Sequence, residues 1–402
     1  MTETPTPRRS RLAVLFVTVF VDLLGFGIVL PLLPYYAREF QASGVTVGLL
    51  VAIYSAMQLL FAPLWGRWSD RIGRRPVILI SLAGSTISYL LFGLADGIGL
   101  LFVSRLLAGV AGANISVAQA FIADTTTDAE RARGMGMIGA AFGLGFIFGP
   151  VIGGVLAHYG HHAPGLAASA ICGLNFLAAW WRLPESLPPE RRHITAAGSP
   201  WRPLAAAMTQ PRGALPLLLF ATAVFTFATM ETTLSLLCAT RFHLSPPQIY
   251  WLFGFLGLAT TVTQGGLIGR LAQRINEPSL ALIGTALLAL GMAATPFAPP
   301  AWRLLLALAA IAVGQGITSP VLASLISKSG AQHASGSVMG VSQSAGSLAR
   351  ILGPLWGGVA FERLGPGGPF VTTAALLALV LAVFGATGRL RLEAPAAGTP
   401  PA

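Results

Sequence analysis

The sequence predicts an all-α integral membrane protein of twelve transmembrane helices arranged as two six-helix bundles, and three observations carry that prediction. Apolar runs long enough to cross a bilayer recur along the 402 residues, of which 54% are hydrophobic and only 10% charged. Basic residues gather in alternate connections between those runs. Two segments of the first half recur in the second at nearly one spacing.

A hydrocarbon core about 30 Å thick is crossed by roughly 20 apolar residues at a helical rise of about 1.5 Å each. In lipid a spanning segment must satisfy its own backbone hydrogen bonds, and these runs lack the period-two alternation of a barrel strand, so each reads as a helix. The predicted spans are 12–34, 46–66, 76–94, 97–122, 134–157, 164–183, 214–237, 248–268, 279–297, 302–325, 336–360 and 369–388. The first run is too long for a signal-peptide core and no small-residue cleavage site follows it, which makes it a retained span.

The formal net charge of +11 would suit a nucleic-acid partner if the basic residues shared one soluble face. They obey a topology instead. With the N-terminus in the cytoplasm, nineteen of the 25 fall inside, among them Arg8, Arg9, Arg67, Arg71, Arg131, Arg191, Arg270 and Arg389. Only Arg38, Arg241, Arg303 and Arg363 fall outside, and Arg105 and Arg350 lie within spans. This asymmetry predicts two cytoplasmic termini and an even number of spans. Cys172 and Cys238 both fall in apolar segments of different halves, too few and too buried to suggest a disulfide framework or a metal site. No metal or cofactor is expected.

The long polar interruption, 184–213, separates an N-terminal bundle, 1–183, from a C-terminal bundle, 214–402, and its length suits a cytoplasmic tether. Gly149-Pro150-Val151-Ile152-Gly153-Gly154 recurs 204 residues later as Gly353-Pro354-Leu355-Trp356-Gly357-Gly358. Gly66-Arg67-Trp68-Ser69-Asp70-Arg71-Ile72 recurs more weakly, 203 residues later, as Gly269-Arg270-Leu271-Ala272-Gln273-Arg274-Ile275. Two pairs at nearly one offset indicate a duplicated unit. Six spans per unit give both halves one orientation, related by an axis along the membrane normal, with a cavity between them.

The turn between the second and third spans carries Gly66, Asp70, Arg71, Gly73, Arg74 and Arg75. Topology alone asks for the arginines but not for the glycine spacing. The functional reading is a latch in which Asp70 pairs with Arg74, and Arg74 also reaches Asp124 at the end of the fourth span. In the fifth span, Gly143, Gly145, Gly149, Pro150, Gly153 and Gly154 allow close helix approach and a kink, which favours packing and hinge roles over solute contact.

These residues also carry a family resemblance. Gly66 to Arg75, as GxxxDxxGRR, looks like the loop signature of the major facilitator superfamily. Ser104-Arg105-Leu106-Leu107-Ala108-Gly109 resembles that family's motif in the fourth span, and Gly143 to Gly154 its drug:proton antiporter motif in the fifth. Asp22 to Pro34 and Ile122-Ala123-Asp124-Thr125-Thr126 are similar to segments of the tetracycline-resistance efflux proteins. The resemblance implies the major facilitator fold, a bacterial-type cytoplasmic (inner) membrane and a monomer. Those exporters are expected to carry acids in the third and ninth spans; this chain has Ser88 in the former and no acid in the latter.

Within the spans, Asp22, Arg105, Glu231 and Arg350 each cost about 2.5–3.5 kcal/mol at the bilayer centre on insertion scales, which makes them functional candidates. Asp22 and Glu231 are the candidates for proton coupling, with Arg105 holding substrate or tuning Asp22. A Glu231–Arg350 structural pair is the competing reading. Gln58, Asn114, Gln119, Gln264, Gln315 and Gln343 can bind substrate through hydrogen bonds or serve as interhelical contacts. Phe227, with Phe225, Trp251 and Phe255, suits an amphipathic or aromatic ligand.

No GxSxG, metal cluster or phosphate-cradling loop appears, and no enzyme activity is expected. The expected function is secondary active transport: proton-coupled efflux of lipophilic or amphipathic small molecules, multidrug or tetracycline-like, by alternating access. The alternative is a proton symporter or uniporter importing a sugar, organic acid or other metabolite. The expected partners are a small-molecule substrate, protons and the lipid bilayer, without nucleic acid.

Overall fold

The computed structural model describes residues 8–112, 115–192, 211–298, 301–329 and 335–386, and among them no strand occurs. Helix α1 runs Arg8–Val29 and resumes after a turn as Leu33–Glu39; α2 is Gly44–Ile72 and α3 Arg74–Gly93. Helix α4 runs Ile98–Ala111 and resumes as Ile115–Thr125, followed by α5, Asp128–Leu156, and α6, His162–Arg182. In the second half, α7 is Pro211–Arg241, and α8 runs Pro246–Val262, passes through a π turn, Thr263–Leu267, and ends as Ile268–Leu271. The remaining helices are α9, Glu277–Ala294; α10, Ala301–Ser329; α11, Ser335–Leu364; and α12, Gly368–Ala386.

Ten of these spans are long and apolar enough to cross a membrane, and α11 and α12 meet that test as a pair bent by 119° at the break between them. At 30 and 19 residues they extend about 45 and 28 Å. Each is about long enough to cross a hydrocarbon core of about 30 Å. The described residues thus give ten spans, or eleven with this bent pair as one, and the twelve predicted from the sequence require each helix of the pair to cross separately. Each predicted segment overlaps one helix, but several helices run further. Helix α2 continues to Ile72, past the predicted end at 66, because hydropathy reports the depth of the hydrocarbon and not the end of the hydrogen-bond ladder.

Helix starts follow local chemistry. The Ser43 hydroxyl accepts from the Thr46 amide at the head of α2, and the Asn276 side chain accepts from the Ser279 amide at the head of α9, satisfying donors the first turn leaves over. Between α2 and α3 the chain reverses at Gly73, whose φ of +105° lies in the left-handed region. A Cβ at that position would also collide with the Glu185 carboxylate.

The two halves pack alike. Helix α5 lies on α1 as α11 lies on α7, and α4 lies on α3 as α10 lies on α9. Between the halves the main pairs are α2 with α11 and α5 with α8. Advancing each helix number by six exchanges those two pairs, the signature of a two-fold relation between parallel repeats.

The two ends of the bundle differ. One end carries the α2–α3 turn with its arginines and is called the basic end here; the other is the far end. At the far end a shared hydrophobic cluster joins Ile28, Leu32, Tyr36 and Val47 of the first half to Leu236 and Tyr250 of the second. The Ser235 hydroxyl donates to the Pro31 carbonyl at 2.9 Å, and the Val45 amide donates to Glu362 at 3.1 Å. Backbones there nearly touch: a Cβ on Gly44 or Gly48 would meet the carbonyls of Gly358 and Pro354, and one on Gly257 would meet Phe146. Toward the basic end the buried clusters belong to separate halves. Added Cβ atoms on Gly66, Gly136, Gly139, Gly265 and Gly266 would meet nothing within 4 Å. Among the described residues, the contacts that join the halves gather at the far end, and the buried clusters toward the basic end do not bridge them.

Candidate functional site

Between the halves lies a cavity of about 540 Å³, within the usual range for a small-molecule site. Helices α1, α2, α4 and α5 contribute Phe26, Tyr54, Gln58, Arg105, Gln119 and Phe146; α7 and α11 contribute Glu231, Gln343, Ser347 and Arg350. Six of the sequence-predicted residues thus meet in one space: Gln58, Arg105, Gln119, Glu231, Gln343 and Arg350.

Each polar wall has a structural reason. The Gln58 amide donates to the Gly112 carbonyl at 3.0 Å, where α4 is interrupted, and to the Tyr54 hydroxyl at 3.4 Å. The Tyr54 ring leans on Phe26 with centroids 5.1 Å apart, and Phe26 meets Phe146 edge-on at 5.9 Å. This aromatic wall fits the apolar body of a ligand. Arg105 is 2% exposed; its guanidinium lies 5.2 Å from the Phe92 ring centroid, and Nε donates to the Ser104 hydroxyl at 3.4 Å. Its Nη2 has no hydrogen-bond partner. Among the described residues it belongs to no ion pair, and a guanidinium buried in a membrane is costly without charge compensation.

Arg350 donates from Nη2 to the Ser347 hydroxyl at 3.2 Å. Glu231 attracts it electrostatically, but the two form no ion pair among the described residues. Both line the cavity. Asp22, one turn before Phe26 on α1, does not line the cavity; it lies within electrostatic reach of Tyr54 and Tyr89. Glu231 is the carboxylate among the cavity walls, with two guanidiniums.

The remaining cavity candidates go elsewhere. Phe227 packs against the core of the second half. Gln264 is exposed on the π turn of α8, and Gln315 is half-buried on α10 without reaching the cavity. Asn114 lies outside the described residues. Of the other aromatic candidates, Trp251 is exposed and Phe255 packs into the second-half core. Sequence reasoning overlooked Tyr54, Phe26 and Phe146. Tyr54 and Gln58, four residues apart on one helical face, were a usable signal; the two phenylalanines carried none.

At the basic end, Asp70, Arg74 and Asp124 come together: Arg74 Nη1 is 2.6 Å from Asp70 and Nε 3.0 Å from Asp124. Arg74 also donates to the Ser69 hydroxyl at 2.6 Å. Arg71 takes no part, and Arg75 donates to the Trp180 carbonyl instead. A carboxylate that the sequence did not single out completes the cluster. Glu185 accepts from the Arg74 amide at 2.8 Å and the Arg75 amide at 3.3 Å, and so occupies the N-terminus of α3, where negative charge is favoured. Gly66, on the same stretch, faces open space, while Gly73 supplies the turn.

The glycines of α5 act on two sides. A Cβ on Gly145 or Gly149 would meet the α1 backbone at Leu23 or Gly27, and one on Gly153 or Gly154 would meet Tyr250 of α8. Gly143 faces Thr261 of α8. The motif lets one helix, which contains Pro150, lie close to its own half and to the other.

A pair of parallel-repeat helical bundles, with a charged and aromatic cavity between them reached from one end, defines the class of membrane carriers that work by alternating access. The chain belongs to the Major Facilitator Superfamily, whose family model matches residues 15–354 and 234–400. It is a multi-pass membrane transporter with a small-molecule substrate.

Among its relatives, the tetracycline resistance protein, class E, of Escherichia coli is 35% identical over 350 residues, covering 84% of this chain and 85% of that one. Multidrug resistance protein 2 of Bacillus subtilis is 30% identical over 369 residues, covering 90% and 91%. Among solved structures, the human organic anion transporter MFSD10 is 29% identical with a TM-score of 0.70, covering 94% of this chain and 99% of that one.

Proposed function

We propose that this protein exports amphipathic small molecules in exchange for protons, with the acid group of the substrate seated on Arg105 and the proton carried by Glu231. The observation that carries this reading is the cavity between the halves, where Glu231, Arg105 and Arg350 stand around an aromatic wall. Similarity to tetracycline and multidrug resistance proteins favours export, and similarity to an organic anion transporter agrees with two guanidiniums against one carboxylate.

In this scheme the basic end faces the cytoplasm, both termini lie there, and the protein acts as a monomer in a bacterial-type inner membrane. The present arrangement is then inward-open. A substrate enters from the cytoplasm or inner leaflet, lays its apolar body on Phe26, Tyr54 and Phe146, and compensates Arg105. Release of the Glu231 proton inward is favoured by Arg350, which attracts the carboxylate that forms, while the acid group of the substrate is held by Arg105. The bundles, 1–183 and 214–402, then rock about the 184–213 tether until the far end opens. Outside, protonation of Glu231 returns it. Asp22 holds the Tyr54 side of the cavity polar. No covalent chemistry is involved.

The test uses proteoliposomes with a pH-sensitive dye and amphipathic fluorescent acids. Substrate-dependent proton counterflow is expected in the wild type, its loss in Glu231→Gln, and weakened substrate affinity in Arg105→Gln. Transport of such acids by Glu231→Gln with undiminished proton counterflow overturns the coupling assignment. Accumulation with the proton gradient would show the symport alternative.

A further inference from the structure

At the far end, helix α2 of the first half takes part of its N-terminal cap from the second half. The first amides of a helix have no partner within it. Ser43 accepts from the Thr46 amide, and the Val45 amide donates across the halves to Glu362, in the last turn of α11, at 3.1 Å. The Gly44 amide and the Ser43 side chain are further hydrogen-bonding neighbours of the same carboxylate. Negative charge is favoured at a helix N-terminus. The approach is close enough to need glycine: a Cβ on Gly44 would meet the Gly358 carbonyl and the Glu362 side chain, and one on Gly48 the Pro354 carbonyl.

The duplicated half supplies a natural control. At the offset of 204 residues that matches Gly154 to Gly358, Glu362 corresponds to His158, and the head of α2, Ser43-Gly44-Val45-Thr46, corresponds to Ser245-Pro246-Pro247-Gln248 at the head of α8. Two prolines there carry no N–H, and Gln248 accepts from the Ser245 amide at 2.9 Å within its own helix. His158 Nδ1 lies 3.0 Å from the Gly154 carbonyl, also of its own helix. Helix α8 is therefore capped locally, whereas α2 has Thr46 in place of Gln248 and draws on the other bundle. Of the two crossings that the repeat generates, α2 with α11 carries the carboxylate between halves.

We propose that Glu362 is a conformational pin, which holds the far end closed by capping α2 from α11 and is released when that end opens. The two helices belong to opposite bundles, so the cap is made only while the bundles meet there. Glu362 is exposed, and water can solvate both partners once they part, so the contact biases the exchange between end states without blocking it. The proposal rests on the alternating-access reading above, and not on the substrate, the coupling ion or the direction of transport.

Spin labels at Tyr159→Cys and Trp302→Cys, exposed far-end sites on opposite halves, report the opening by double electron–electron resonance in liposomes. Native Cys172 and Cys238 are buried. Relative to the otherwise unchanged protein, Glu362→Ala is expected to raise the ratio of long to short distances by on the order of fivefold. Glu362→Gln, which keeps an acceptor and loses the charge, should raise it about twofold, and His158→Ala should leave it unchanged. A second label pair at the basic end, Arg182→Cys with Gln273→Cys, is expected to shorten as the far end lengthens. Lengthening at both ends reports a loosened fold and overturns the pin. So does an equal shift in His158→Ala, or a far-end distribution that substrate changes but the Glu362 variants do not. One fixed far-end distance in every protein, with and without substrate, overturns alternating access and the pin together.

Discussion

The α2–α3 turn and the α8–α9 turn share one repeated segment, yet they are fastened differently: a buried arginine ties the first, while the second is held by the Asn276 cap and by Ser324 donating to Glu277. In the first, Arg74 is buried and holds Asp70, Asp124 and Ser69, and Glu185 closes over the head of α3. In the second, Gln273 stands where Asp70 does, and Arg270 and Arg274 form no ion pair among the described residues. The helix leading into it passes through a π turn with Gly265 and Gly266 facing open space. A π turn mid-helix often marks a functional adjustment point. In the proposed transport cycle, the π turn makes α8, more than α2, the helix expected to adjust when the basic end closes.

Four substitutions sharpen or break that contrast, beginning with the largest effect. Arg74→Ala strands two carboxylates and a buried hydroxyl. Removing one partner of a buried pair costs about 3–5 kcal/mol, and partial solvation of the acids lowers this to about 2–3 kcal/mol. A fall in Tm with at least a tenfold loss of transport in vesicles is expected. Next comes Gly73→Ala, where the left-handed backbone costs about 1–2 kcal/mol and the Cβ displaces Glu185. A several-fold loss of transport with a smaller fall in Tm should follow, and wild-type behaviour would show that the turn tolerates rearrangement.

Asp70→Asn removes a charge that is 39% exposed, an interaction worth up to about 1 kcal/mol. Transport should drop a few-fold while membrane insertion, read by expression and protease mapping, stays normal; full activity would reduce the turn to a topological device. The smallest effect is expected for Arg274→Ala, with rates within about twofold of wild type. A loss comparable to Arg74→Ala would erase the distinction between the turns.

The cavity shows why only part of the site was legible in the sequence. Arg105, Glu231 and Arg350 stood out because an ionisable side chain inside a span is costly enough to need a reason. Gln58, Gln119 and Gln343 were found on the same ground, but so were Gln264 and Gln315, which face elsewhere. In a soluble helix the polar face marks solvent and would have separated them. In a membrane helix the face toward lipid and the face toward neighbouring helices are both apolar, so periodicity does not say which way a lone glutamine or phenylalanine points. Glu185 was missed for a different reason: it lies in the polar stretch after α6, 111 residues from Arg74, and only folding makes it a helix cap.

The sequence by itself determined the spans, the duplicated halves and the basic turn, because each depends on local composition or on repetition along the chain. The hydrocarbon thickness imposes the first, and an offset of about half the chain reveals the second. The tertiary structure alone decided that the described contacts between the halves gather at the far end, that Glu231 and not Asp22 stands in the cavity wall, and that Arg71 is exposed while Arg74 is buried. Those outcomes depend on how helices rotate about their axes and approach one another, and that is set by glycine-to-backbone contacts between residues distant in the chain.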